Sequence, residues 1–131
     1  MMTTRQATQI DWEKVREIAK QTLGRWTETA QFGKGSTFTQ AEAKMHLKIG
    51  VHNYFSIGFG TRHYGWIPLD GEYNVLPYPK LTKTRDGQYW TDKSPEEIDF
   101  DEVMRKVRFI LYFHYCDWEG VKEVKVCEIK G

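Results

Sequence analysis

The feature that most constrains the fold is a run of aromatic and aliphatic side chains, F-I-L-Y-F-H-Y-C, directly after Arg108. The run has the length of a β-strand, and aromatic residues favour strands. Because both alternating sets of side chains are mostly apolar, we predict a central strand over about residues 108–116. Residues 121–129 are predicted to return beside it after a turn at Glu119 and Gly120.

The chain has two cysteines, Cys116 and Cys127, one on each of these predicted strands. The turn sets a register in which Phe113 lies opposite Val126, and in that register the two thiols are several residues out of step. A disulfide requires Cα atoms within about 7 Å of each other, so this register forbids an internal one. The spacing of the cysteines also differs from that of zinc fingers and ribbons. We therefore predict reduced thiols in the core and no metal site.

Two helices are predicted, over about residues 11–23 and 95–106. In the first, apolar residues recur at spacings of three and four from Val15 onwards, while charged residues fill the other face. The second begins with the sequence Ser94-Pro95, followed by acidic residues. A serine cap, a proline at the first helical position and acids near the positive end of the helix dipole all favour a helix start.

The segment from Ala41 to Val51 supports two interpretations. Its six apolar residues fall at every second position, which is typical of a strand. The pattern Thr39-Gln-Ala-Glu42 is instead that of a capping box, which would start a helix. In a helix the six apolar residues would spread around most of the circumference and leave no single buried face. We therefore predict a strand from about residue 43, with one helical turn near 39–43 left open.

The rest of the chain is predicted to add strands and hairpins. Asp70-Gly71 and Asp86-Gly87 are typical of type I′ hairpin turns, and Gly33-Lys34-Gly35 suggests a further turn. The predicted strands of this part cover residues 25–32, 55–59, 65–69, 72–76, 81–85 and 88–91. Together, the elements predict an α+β fold with a largely antiparallel sheet, in a single domain of residues 1–131.

The balance of charge narrows the classes of function. The chain has 19 Lys and Arg against 18 Asp and Glu, a formal net charge of +1. This balance excludes a strongly basic nucleic-acid coat and an acidic disordered tail. No window resembles the apolar core of a secretory signal or the roughly 20 apolar residues of a membrane span. We expect a cytoplasmic protein with no membrane partner and no cofactor.

A basic, histidine-containing surface is the main candidate site. If residues 41–52 form a strand, four cationic or titratable side chains project from one face, and others lie close by in sequence. Lysines supply point charges for phosphate, and histidines donate hydrogen bonds or transfer protons near neutral pH. We therefore predict binding of a phosphate-bearing ligand, either a nucleotide or a short nucleic acid. The candidate residues are Lys34, Lys44, His46, Lys48, His52, Arg62 and His63.

Two other functions remain open, and the polar face of the strand also fits an ordinary solvated surface. The first is a protein-binding inhibitor or adaptor that uses the aromatic hairpins and the acidic helix start. The second is a metal-independent phosphodiesterase or nuclease with two histidines as acid and base. On one strand, His46 and His52 would be roughly 20 Å apart, so the partner of His46 would have to be His63 or His114. Catalysis therefore ranks below binding.

Overall fold

The computed structural model describes residues 9–23, 26–52, 62–76, 81–83, 89–91, 97–116 and 119–130. Within these ranges the chain forms helices and strands in a mixed order, which confirms the α+β class. The elements are α1 Trp12–Leu23, β1 Gln31–Phe38, α2 Gln40–His52, β2 Arg62–Leu69, β3 Leu81–Lys83, β4 Tyr89–Thr91, α3 Phe100–Lys106, β5 Phe109–Cys116 and β6 Gly120–Ile129.

Four of the strands form one sheet in the order β1-β6-β5-β2. The pairs β2–β5 and β5–β6 are antiparallel, as predicted, whereas β1 runs parallel to β6. The short strands β3 and β4 pair with each other in a separate antiparallel hairpin. The sheet is therefore mostly antiparallel, with one parallel pair at its edge.

Strand β5 is buried on both of its faces, as its sequence predicts. On one face, Leu111 belongs to a core cluster with Val15 of α1. On the opposite face, Ile110 belongs to a second cluster with Leu47 of α2 and Val103 of α3. Because neighbouring residues of a strand point to opposite faces, the sheet is a middle layer with helices packed on each side.

The register of β5 and β6 differs from the predicted one by two residues. Phe113 lies opposite Val124, not Val126, because Cys116 already pairs with Gly120 at the end of the hairpin. Gly120 has a positive φ of 76° and begins β6 rather than forming part of the turn. From Phe109 to His114 this shift of two residues keeps the side chains on their predicted faces, and the pairing shifts by one further residue between His114 and Tyr115. Cys116 and Cys127 are both buried and free, which confirms the predicted reduced thiols.

The strand predicted from residue 43 is wrong, because this segment is the helix α2. The capping box forms: the Thr39 hydroxyl accepts a hydrogen bond from the Glu42 amide at 3.2 Å, and the Glu42 carboxylate accepts one from the Thr39 amide at 3.0 Å. Among residues 40–49, the part of the helix whose side-chain exposure is described, only Ala43 and Leu47, four residues apart, are fully buried. Met45 stays 54% exposed, so alternate apolar residues did not have to share a buried face.

The other two helices fit their predictions to different degrees. Helix α1 covers the predicted residues, and Asp11 accepts a hydrogen bond from the Lys14 amide at its start. Helix α3 begins at Phe100, later than the predicted residue 95, because Asp99 provides the N-cap. The Asp99 carboxylate accepts a hydrogen bond from the Glu102 amide at 3.1 Å. The predicted start at Ser94 and Pro95 lies outside the described residues.

The predicted hairpins and early strand also need correction. Residues 27–30 form a turn, closed by a hydrogen bond from the Ala30 amide to the Thr27 carbonyl, and β1 follows it and includes residues 33–35. The Asp70-Gly71 turn is present but leads only to an isolated bridge between Leu69 and Val75, not to the predicted strand over residues 72–76. The strands β3 and β4 pair with each other as predicted, but over shorter ranges and one residue out of the register that a two-residue Asp86-Gly87 turn implies. Asp86-Gly87 itself and residues 55–59 lie outside the described residues.

The capping box predicts a measurable cost for its loss. Thr39→Ala should lower the free energy of unfolding by about 1 kcal/mol, because it leaves the Glu42 amide without its side-chain acceptor. Thr39→Ser keeps a hydroxyl and serves as the control. Urea unfolding of both variants checks this, and equal stability of the two would contradict the role of the cap.

Two strand glycines give a matched pair for testing the core. A Cβ atom at Gly65 would overlap the ring of Phe113, which is buried on the neighbouring strand, whereas a Cβ at Gly33 would meet nothing within 4 Å. We expect Gly65→Ala to destabilise the fold by about 1–3 kcal/mol, the usual range for overpacking. Gly33→Ala should change stability by less than about 0.5 kcal/mol. Similar losses in the two variants, measured by thermal unfolding, would contradict this packing.

Candidate ligand-binding groove

A cavity of about 650 Å³ opens on the sheet face that carries α2 and α3. Its volume lies within the range of about 300–1,000 Å³ that is common for small-molecule sites. We call it the aromatic groove, and it is lined by Lys34, Gly35, Ser36, Phe38, Tyr64, Trp66, Tyr112, Lys125 and Cys127. All four strands of the large sheet contribute to it.

Strand register explains why these side chains meet. Trp66 of β2 lies opposite Tyr112 of β5, and Tyr112 lies opposite Lys125 of β6, so the three form one row across the sheet. The next row, two residues along each strand, consists of Tyr64, His114 and Glu123. Since residues two apart on a strand share a face, both rows lie on the same side of the sheet.

The rings of the groove are in contact with one another. The ring centroids of Trp66 and Tyr112 are 4.7 Å apart, and those of Tyr64 and Tyr112 are 6.2 Å apart. Tyr64 also stacks on His114, with centroids 4.7 Å apart and planes inclined by 9°. Although packed in this way, Tyr64 remains 43% exposed. The groove therefore offers an aromatic side chain that is both held in position and open to solvent.

The charged side chains that line the groove are both lysines. Lys34 is exposed, and none of the described residues forms an ion pair with it. Lys125 is partly exposed and lies 3.6 Å from the Glu123 carboxylate. Burial raises the pKa of Tyr112 to about 12 and that of Cys127 to about 11, so both groups are neutral at pH 7. The described lining is therefore positive at neutral pH.

The glycine-rich segment around Lys34 is an irregular strand, not a free turn. The pairing of β1 with β6 shifts between Lys34 and Thr37, which marks a bulge or similar irregularity. Gly35 lies directly over Cys127, and a Cβ at this position would overlap the sulfur atom. A residue without a side chain is thus required for β1 to approach the groove floor. Such irregularities are common beside functional sites.

The structure separates the predicted site residues. Lys34 lines the groove. His46 packs against two residues of the groove lining: its ring centroid lies 4.5 Å from that of Phe38 and 4.4 Å from that of Trp66. Lys44 and Lys48 face α3 instead, where Lys44 pairs with the Asp101 carboxylate and Lys48 lies over the Phe100 ring. Their expected convergence on one strand face is wrong, because the segment is helical.

The other three predicted residues are less fully described. His52 is the last residue of α2, while Arg62 and His63 begin β2 in register with Cys116 and Tyr115. The side chains of these three residues lie outside the described part of the structure, so their role stays a prediction.

Lys34 is the one residue of the described groove lining that belongs to the site predicted from the sequence. The predicted site does not include the three aromatic side chains that β2 and β5 contribute or the second lysine of the groove, which are Tyr64, Trp66, Tyr112 and Lys125. The alternation of Tyr64 with Trp66 places these two on one face of a strand, and this signal is visible in the sequence. Their meeting with Tyr112 and Lys125 depends on strand order and register, which the sequence does not specify. The contribution of β1 also depends on strand order and register, so it is not predicted from the sequence either.

A second cavity, of about 570 Å³, adjoins the row of Tyr64, His114 and Glu123. We call it the polar pocket, and it is lined by Thr29, Gln31, His114, Glu119, Lys122 and Glu123. Glu119 and Lys122 form an ion pair with each other. The pocket therefore combines two carboxylates, an ammonium group, an amide, a hydroxyl and an imidazole at the end of the aromatic groove.

Comparisons with known proteins give no relative: no protein-family model matches the chain, and no curated protein or solved structure is detectably similar to it. In the described part of the chain, no three His, Cys, Asp or Glu side chains come together in a way that would hold a metal ion. None of the helices in that part is long and apolar enough to cross a membrane.

The buried Cys127 thiol predicts a loss of stability at high pH. Burial raises its pKa from 9.0 to about 11, so the unfolded chain ionises first. Because the folded pKa is the higher one, the contribution is complete below pH 9 and is lost as the pH rises through 11. The difference between the two pKa values corresponds to about 2–3 kcal/mol of the free energy of unfolding.

Unfolding free energies at pH 7 and pH 11, measured for the wild type and for Cys127→Ala, check this prediction. The cavity that the substitution leaves affects the variant equally at both pH values, so the difference between the two proteins isolates the thiol. Cys127→Ala should lose less stability on going to high pH. An identical loss in both proteins would show that the thiol does not titrate in this way.

Proposed function

We propose that the protein binds a free nucleotide in the aromatic groove. The observation that carries this proposal is the exposed ring of Tyr64, which is held in a stack with its neighbours in the same cavity as Lys34 and Lys125. A nucleotide combines the two chemical features that such a site would recognise, a planar aromatic ring and an anionic group.

The base would stack on the exposed part of Tyr64. Stacking of a nucleobase on an aromatic side chain contributes about 1–3 kcal/mol and tolerates any base, because every base has a π-face. The ring of Tyr64 is supported by His114 and Tyr112, so little side-chain freedom is lost on binding. This support favours a binding surface over an accidental exposed side chain.

The phosphate would lie near Lys34 and Lys125. Lysine ammonium groups act as point charges for phosphate, and the described lining of the groove holds no carboxylate that would repel it. Tyr112 and Cys127 stay protonated at neutral pH because burial raises the pKa of each. The groove is therefore electrostatically complementary to an anion.

The arrangement favours binding over catalysis. His46 is packed between two rings and lines neither cavity, while His114 is stacked on Tyr64 at the edge of the polar pocket. An acid–base pair needs both groups within reach of one bond. Of the aromatic hairpin residues on which the protein-binding alternative depends, Tyr73 is buried and Trp66 packs against the second core cluster. The side chains of the others, Tyr78, Tyr89 and Trp90, lie outside the described part of the structure, so this alternative stays a prediction.

Calorimetric titration with AMP, GMP, CMP and UMP tests the proposal. The Lys34→Ala, Lys125→Ala double variant should weaken binding by about tenfold or more, because it removes two charged partners of the phosphate. The Lys44→Ala, Lys48→Ala double variant is the matched control and should bind as the wild type does, since these lysines face α3.

Several outcomes would contradict the proposal. If the wild type binds no nucleotide, the proposal is wrong. If only the Lys44→Ala, Lys48→Ala variant loses binding, the nucleotide site lies at α2 and not in the groove. Much tighter binding of a short oligonucleotide, with a steep dependence on salt, would replace the free nucleotide with a nucleic-acid strand.

A further inference from the structure

The aromatic groove and the polar pocket are parts of one surface. On β6, Lys125 belongs to the groove and Glu123 to the pocket, and the Lys125 ammonium lies 3.6 Å from the Glu123 carboxylate. On the neighbouring strands, Tyr64 of the groove stacks on His114 of the pocket with ring centroids 4.7 Å apart. A ligand in the groove therefore lies next to the pocket.

The strand order fixes the direction in which a nucleotide would lie. Tyr64 is on β2 and Lys125 on β6, with β5 between them. Neighbouring strands are about 4.8 Å apart, so these two strands are separated by roughly 10 Å. A base over β2 with its phosphate over β6 or β1 would place the sugar above β5. One edge of the sugar would then face the row that contains His114 and Glu123.

The chemistry of the pocket suits the hydroxyl groups of a sugar. A carboxylate accepts hydrogen bonds from hydroxyls, and an acidic residue that binds the ribose hydroxyls is a recurring element of nucleotide sites. Glu123 lies opposite Gln31 of β1, whose amide both donates and accepts, and Thr29 adds a hydroxyl to the same pocket. The described lining of the pocket has two carboxylates and one lysine, whereas that of the groove has two lysines and no carboxylate, so the groove is the better place for a phosphate.

We propose that Glu123 accepts hydrogen bonds from the ribose hydroxyls, so that the site selects ribonucleotides over 2′-deoxynucleotides. This inference rests on the proposed function, because it requires the base and phosphate to occupy the aromatic groove. It narrows the ligand to ribonucleotides and names Glu123 as the residue that selects them. Glu123 is a specificity residue in this site, and it acts by direct contact with the sugar.

A comparison of AMP with 2′-deoxy-AMP tests the inference. The wild type should bind AMP about tenfold more tightly, and Glu123→Ala should reduce this ratio to near one. Removal of Glu123 also frees Lys125, which should alter the affinity for both nucleotides alike, so the ratio isolates the contact with the sugar. Glu128→Ala is the control: it changes the same residue type on the same strand, at a position that lines neither cavity.

The outcomes separate the two proposals. Equal affinity of the wild type for both nucleotides would overturn the inference and leave the proposed function standing, whereas no binding of either would overturn both. A preference for AMP that persists in Glu123→Ala would overturn the role of Glu123. A preference between bases that disappears in this variant, with no change for the sugar, would assign Glu123 to the base edge and overturn the inference. Thermal unfolding of each variant confirms that it is folded.

Discussion

The burial of β5 on both faces is the constraint on which the rest of the structure depends. A strand with Ile110 on one side and Leu111 on the other exposes apolar surface in both directions unless each face is covered. Helix α1 covers one face, and α2 and α3 cover the other. The strands β6 and β2 satisfy the hydrogen-bonding groups of β5 along both of its edges. The positions of the remaining elements follow from these requirements.

The described helices α2 and α3 cover only part of the sheet face that carries Ile110, and the aromatic groove opens on the rest of it. Helices α2 and α3 pack with Ile110, Cys127 and Ile129, and the core cluster extends only as far as Trp66 and Tyr112. Beyond that point the same sheet face carries Tyr64, which stays 43% exposed. A sheet face with large, partly exposed rings is the kind of surface that binds ligands. The groove is thus a direct result of how far the helices reach.

Most elements of the fold could be predicted because their signals are local. The two-sided apolar run of β5 and the periodicity of α1 each identify their element without reference to the rest of the chain. The strand predicted over residues 43–51 is wrong because its pattern indicates a strand only if every apolar residue of the segment is buried. In the structure Ala43 and Leu47 are buried, whereas Met45 and Ile49 stay 54% and 43% exposed. The local capping signal at Thr39 was the better guide.

The candidate site could be predicted only in part, because it is built from four strands. Lys34 was identified from its own segment, but its neighbours Tyr112 and Lys125 join it through strand order and through a parallel pairing of β1 with β6. The two-residue error in the β5–β6 register shows how the length of one turn decides which side chains are neighbours. Strand order and register depend on the whole chain and not on any single motif.

The parallel pairing of β1 with β6 has a consequence for the folding of the protein. It joins Gln31, early in the sequence, to Glu123, late in it, so β1 completes the sheet through a contact between distant parts of the chain. Closing a contact between such distant segments costs loop-closure entropy and slows folding. Lys34 reaches the groove only when β1 is docked at the sheet edge. A ligand that engages both Lys34 and Lys125 would therefore bind only the completed sheet and would hold its edge strand in place.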